Sequence, residues 1–188
     1  MTISLRPALL ALIAMPALAQ EADLTLFDRI EVQAHARLQS VRDSGADLLP
    51  FTTDGCSGGM SATWEIVATL VPEFADIHLE TPPWQDCCVT HDRAYHLGGE
   101  DSDPVASFAA RKTADEALRQ CVIATAEDRR AVLMSRYGLS EAQIDTAYRL
   151  IAGSMYDAVR VGGGPCSGLP WRWGYGWPHC GALSGLSE

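Results

Sequence analysis

The sequence predicts an all-α fold stapled by disulfides, and three observations predict it. Apolar residues recur at three- and four-residue spacing along several long segments, the mark of helices that bury one face. Residues that start and stop helices flank those segments. Six cysteines lie behind an export signal, and in an oxidising compartment they are expected to form three disulfides.

Residues 1–19 hold one early cation, Arg6, then an apolar run from Ala8 to Ala19 broken by Pro16 and closing on Ala17-Leu18-Ala19. That is the pattern of a signal peptide with its cleavage site; the run is too short for the roughly 20 apolar residues of a spanning helix. The expected location is secreted or periplasmic. The mature chain, from residue 20, carries 13 basic and 24 acidic residues, a balance of −11. That charge argues against a nucleic-acid partner, whose phosphates call for cations.

Taken in order, residues 23–41 place Phe27, Ile30, Ala34, Leu38 and Val41 on one helical face, and Gly45 ends the segment. Residues 51–60, FTTDGCSGGM, form a turn-rich loop. Residues 61–80 carry Trp64, Ile66, Val67, Leu70 and Val71 with a break at Pro72, and read as an irregular insertion with room for a helical turn or a short hairpin. Thr81-Pro82-Pro83 sets a capping hydroxyl ahead of proline, starting a helix that runs to Leu97 before Gly98-Gly99. Asp103-Pro104 repeats the device for a second long helix through Phe108, Asp115, Leu118, Val122 and onward, with a stop at Gly138. Ser140 and Gln143 make a capping box for a third, through Ile144, Tyr148, Ile151, Met155 and Val159, ended by Gly162-Gly163-Gly164. One domain over residues 20–163 is expected, followed by a Gly- and Trp-rich extension, 164–188.

In DCCVTHDRAYH, Cys87 and His91 are four residues apart, as are Cys88 and Asp92, so each pair shares a helix face. Tyr95 lies four beyond His91. Adjacent cysteines on a helix point about 100° apart, so Cys87 and Cys88 should reach different partners. If the helix carrying ADEALRQC packs antiparallel to the first, Asp115 can face His91 while Cys121 faces Cys87. Cys88 would then bridge to Cys56 in the glycine-rich loop, bringing backbone carbonyls beside Asp92, and Cys166 with Cys180 would close the C-terminal segment. Carbonyl and carboxylate oxygens are the ligands that a hard cation such as calcium prefers.

These residues resemble the secreted phospholipase A₂ superfamily, whose signature is a Gly-Cys calcium loop followed by C-C-x-x-H-D-x-x-Y. The resemblance covers residues 51–163; DGCS and the closing MYDAVRVGG are most similar to the prokaryotic and fungal branch, the doubled cysteine and ADEALRQC to the animal branches. It implies a disulfide-stapled helical fold in which two antiparallel long helices carry the active site. It also implies His91 as the catalytic histidine, Asp115 as its partner, Tyr95 as a supporting residue and Asp92 as the calcium aspartate. The calcium loop maps in two ways. By the animal pattern the carbonyls of Gly55, Ser57 and Gly59 bind the metal; by the prokaryotic pattern it is the Asp54 side chain and the Gly55 carbonyl. Two departures stand out: Ala94 and Ala114 replace a cysteine pair common in animal members, and the stretch from Cys56 to Cys87 is longer than usual.

The activity implied is calcium-dependent hydrolysis of the sn-2 ester of phosphoglycerides at a phospholipid membrane or micelle surface. Ser57 sits in GCSGG, outside the G-x-S-x-G elbow of serine hydrolases, and is discounted as a nucleophile. A non-catalytic lipid- or protein-binding module on the same scaffold is the alternative, although inactive members generally lack the histidine or the aspartate kept here. A metal-dependent phosphohydrolase would need further histidines around His91-Asp92. His35, His78, His96 and His179 have no partner pattern and read as structural or solvated. Trp171, Trp173, Tyr175 and Trp177 read first as packing on the domain itself, with an interfacial anchor or a lid as the alternative.

Overall fold

The structure is a computed structural model that describes residues 24–56 and 60–181; the expected signal peptide lies outside the described residues. Among the described residues the regular structure is entirely helical: α1 (Leu26–Asp43), α2 (Met60–Leu70), α3 (Pro72–His78), α4 (Gln85–Leu97), α5 (Pro104–Ala124), α6 (Ala126–Tyr137) and α7 (Glu141–Gly162). No described helix is long and apolar enough to cross a membrane. The three expected disulfides are present: Cys56–Cys88, Cys87–Cys121 and Cys166–Cys180.

Capping explains most boundaries. Thr25 caps α1 in a reciprocal box with Asp28, Asp103 caps α5 through the amide of Ala106, and Ser140 boxes with Gln143 at α7. Gly98 and Gly138 end α4 and α6 in the left-handed conformation. Three expectations are corrected. The 61–80 insertion is helical, as α2 and α3, because Trp64 packs edge-on against Phe74, His78 and Trp84 and donates to the Leu79 carbonyl. α4 begins at Gln85 rather than at the prolines, with Trp84 and not Thr81 before its first turn and no side-chain cap, as a residue ahead of a proline disfavours helical backbone. The long second helix divides at Thr125, whose hydroxyl takes the carbonyl of Val122.

α5 is the central helix, packed against α7, α4 and α1. α4 lies antiparallel to it, as three cross-links in opposite order show: Cys87 to Cys121, His91 to Asp115 and Tyr95 to Arg111. A larger apolar core joins Trp84, Leu118, Val122, Ile144 and Tyr148; a smaller one joins Leu38, Tyr95 and Trp173. α1 buries Ala34 and Leu38 as its pattern requires, but Phe27 and Ile30, expected on the same face, are exposed.

Candidate active site

His91, Asp92 and Tyr95 stand on consecutive turns of α4 and are buried, as is Asp115 on α5. The His91 Nε2–H donates to Oδ1 of Asp115 at 2.9 Å, which leaves Nδ1 as the free acceptor of the ring. That Nδ1 is 4.0 Å from Oδ1 of Asp92. The Tyr95 hydroxyl donates to the same Asp115 oxygen at 2.6 Å. His91 and Asp92 line an apolar cavity of about 190 Å³, together with Gly55, Cys56, Met60, Leu118, Met155, Val159 and Trp171 among others. A titratable pair at the wall of an apolar cavity is the arrangement expected of a proton-transfer site.

Electrostatics favour charge separation here. Burial works against the His91 imidazolium, but the hydrogen bond to Asp115 and the nearness of Asp92 outweigh it, so its pKa lies above the ordinary histidine value. Burial likewise opposes the Asp115 carboxylate, yet donors from His91, Tyr95 and Arg160, with the charge of Arg111, hold its pKa below the usual range. Burial raises the Tyr95 phenol, which therefore acts as a neutral donor.

The loop before α2 is fixed against Asp92. The Thr53 hydroxyl donates to Oδ2 of Asp92 at 2.5 Å and accepts from the Gly55 amide at 3.0 Å. The Cys56 amide donates to Ser61 Oγ, which donates to Gln85 at the start of α4. Gly55 has φ of +75° and a Cβ there would fall 2.7 Å from Ser61 Oγ, so the turn requires glycine. Thr52, Thr53, Asp54, Asp92, Trp171 and Tyr175 line a second cleft beside the first. Burial, then the charges of Asp92 and Asp54, raise the Tyr175 phenol. An oxygen-only donor set of this kind fits a hard divalent cation. Among the described residues no group of three or more His, Cys, Asp or Glu side chains forms such a site, so backbone oxygens would have to complete it. Ser57 and Gly59, two of the expected loop ligands, lie outside the described residues.

No family model, curated protein or solved structure matches the chain. What the site can do therefore rests on its geometry.

That geometry brings together His91, Asp115, Tyr95 and Asp92, with Gly55 and Asp54 on the adjoining walls. His78 instead stacks on Tyr137 and bonds its hydroxyl, away from this group. The sequence reading missed Arg111, Arg160 and Glu31. Arg111 is buried, donates to the Tyr95 hydroxyl at 3.0 Å and pairs with Glu31. Arg160 donates to Oδ2 of Asp115 at 2.9 Å and to Glu31 at 2.8 Å. The four-residue spacing of Arg111 and Asp115 was the only signal on offer; Arg160 is 45 residues from one partner and 129 from the other. The C-terminal segment also belongs to the site. Trp173 is buried and donates to Ser107, and the Tyr175 hydroxyl donates to the Thr52 carbonyl at 2.6 Å. Trp171 lines both clefts.

Proposed function

We propose that this protein is a calcium-dependent phospholipase A₂, secreted or periplasmic, that acts on the sn-2 ester of phosphoglycerides at a membrane or micelle surface. The observation that carries the reading is the His91 ring: one nitrogen is bonded to buried Asp115, and the other faces Asp92 beside an apolar cavity. An acyl chain suits that cavity, and a phosphate suits a cation held beside it.

Asp92, with Asp54 and backbone carbonyls of the adjoining loop, would hold calcium, which when bound polarises the ester carbonyl and offsets the charge of the phosphate. The His91 Nδ1 accepts a proton from water as the water oxygen attacks the ester carbonyl carbon. Asp115 fixes the tautomer and stabilises the imidazolium that results. As the bond to the glycerol oxygen breaks, His91 returns the proton to that oxygen, giving a lysophospholipid and a fatty acid. Tyr95 donates to Asp115 and helps keep the carboxylate ionised.

The test is fatty-acid release from sn-2-labelled phosphatidylcholine by the mature, oxidised protein, with calcium and with EGTA, beside His91→Gln and Asp92→Asn. Release that needs calcium and falls by about 10³-fold or more in His91→Gln is expected. No release across several head groups would overturn the reading in favour of a non-catalytic lipid-binding module.

A further inference from the structure

Asp115 uses its two oxygens differently. Oδ1 accepts from His91 and Tyr95, while Oδ2 accepts from Arg160 Nη1 at 2.9 Å. The same guanidinium donates from Nη2 to Oε2 of Glu31 at 2.8 Å, and the other Glu31 oxygen pairs with Arg111. Arg111 then returns to the Tyr95 hydroxyl and to the carbonyls of Val159 and Arg160. The result is a ring of two carboxylates and two guanidiniums closed through the Tyr95 hydroxyl, spanning α1, α4, α5 and α7, in which Asp115 has no exposed surface.

We propose that Arg160, itself held by Glu31, is the positioning residue of the His91–Asp115 pair: by fixing Oδ2 it directs Oδ1 at the imidazole. The role rests on the hydrolase reading for its catalytic consequence, though not for its structural content. A bare neutralising charge would not need a planar donor, whereas Arg160 spends two different nitrogens on two carboxylates of two helices, which a lysine ammonium cannot reproduce in plane. Its neighbour Val159 lines the apolar cavity, so one turn of α7 both walls the cavity and orients the pair.

The experiment compares Arg160→Lys, Arg160→Met and Glu31→Gln with the wild type in two readouts. The first is the low-field proton resonance of the His91 Nε2–H in the resting protein, which a firm bond to Asp115 protects from exchange. The second is kcat and KM on dispersed phosphatidylcholine, with calcium affinity measured separately by calorimetry. Expected are a protected resonance in the wild type, its loss in both Arg160 variants, and kcat lower by about 10- to 100-fold with KM and calcium affinity little changed. Glu31→Gln should weaken both readouts less. Wild-type resonance and kcat retained in Arg160→Lys would reduce Arg160 to a counter-charge and overturn the proposal, as would a wild type with no protected resonance. If Arg160→Met fails to fold, Arg160→Lys and Glu31→Gln still decide. A wild type that hydrolyses nothing yet loses its resonance in Arg160→Lys would refute the hydrolase reading and leave the positioning role standing.

Discussion

His35 is fully buried on α1, with Nδ1 bonded to Ser107 at 2.8 Å and Nε2 without a hydrogen-bond partner, 3.6 Å from Glu31. Burial, aided by Arg111 and Arg160, outweighs the attraction of Glu31 and holds its pKa below the histidine norm. A depressed base binds fewer protons folded than unfolded, so its contribution is complete above the unfolded pKa of about 6.5 and is lost as pH falls through it. His91, with a raised pKa, has the opposite slope. Thermal unfolding of His35→Asn, whose amide can replace Nδ1, isolates the first term: the variant should lose less stability than the wild type between pH 7 and pH 5. Equal losses would show that His35 does not titrate on unfolding. At this scale the sequence was informative where partners share a helix, as with His91, Asp92 and Tyr95, or where cysteine spacing fixes the register of two helices, as with Asp115. It was silent on Arg160, whose partners come from α1 and α5, and it placed His35 among structural or solvated histidines without its bond to Ser107 on α5.

Between elements, α7 ends tightly against α4. A Cβ on Gly163 would lie 2.6 Å from Cε1 of Tyr95 and 2.7 Å from the Val159 carbonyl, although its φ of −80° suits any residue. Gly138 is the reverse case, with φ of +67° and nothing within 4 Å. Urea unfolding should therefore show Gly163→Ala costing about 1–3 kcal/mol by overpacking, with added loss of activity through Tyr95. Gly138→Ala should cost about 1 kcal/mol by backbone strain alone, with activity intact. Equal effects on activity would refute the steric origin of the first. Helices with one-sided patterns and local caps were legible at this scale, as α7 was from Ser140 to Gly162. α2 and α3 were not, since Ile66, Leu70 and Val71 remain exposed and what orders the pair is a cluster of rings from separate segments.

Across the whole molecule, the disulfides tie the loop before α2 to α4, α4 to α5, and the C-terminal segment to itself. Cys87–Cys121 spans 34 residues, from Cys87 in the larger core to an exposed Cys121, and Cys166–Cys180 spans 14 in the C-terminal segment. On loop length the paired alanine variants should lose about 4 and about 3 kcal/mol; each also removes one buried sulfur, Cys87 from the larger core and Cys180 from the smaller, so loop length sets the order. A larger loss from the Cys166–Cys180 pair in denaturant titration would contradict this order. The all-helical, three-disulfide plan could be read from the chain because it follows from periodicity and cysteine count. The course of residues 164–181 could not: Gly174 and Gly176 donate to the carbonyls of Tyr95 and His96, contacts that leave no pattern in sequence. The adjacent pair Cys87-Cys88 has one more consequence, for the order in which the bonds form. A chain oxidised as its cysteines emerge from synthesis offers Cys56 first to Cys87, but its native partner is Cys88. Maturation therefore requires either that α4 coil before oxidation, turning Cys88 toward the loop, or that an early mispaired bond be reshuffled by thiol exchange.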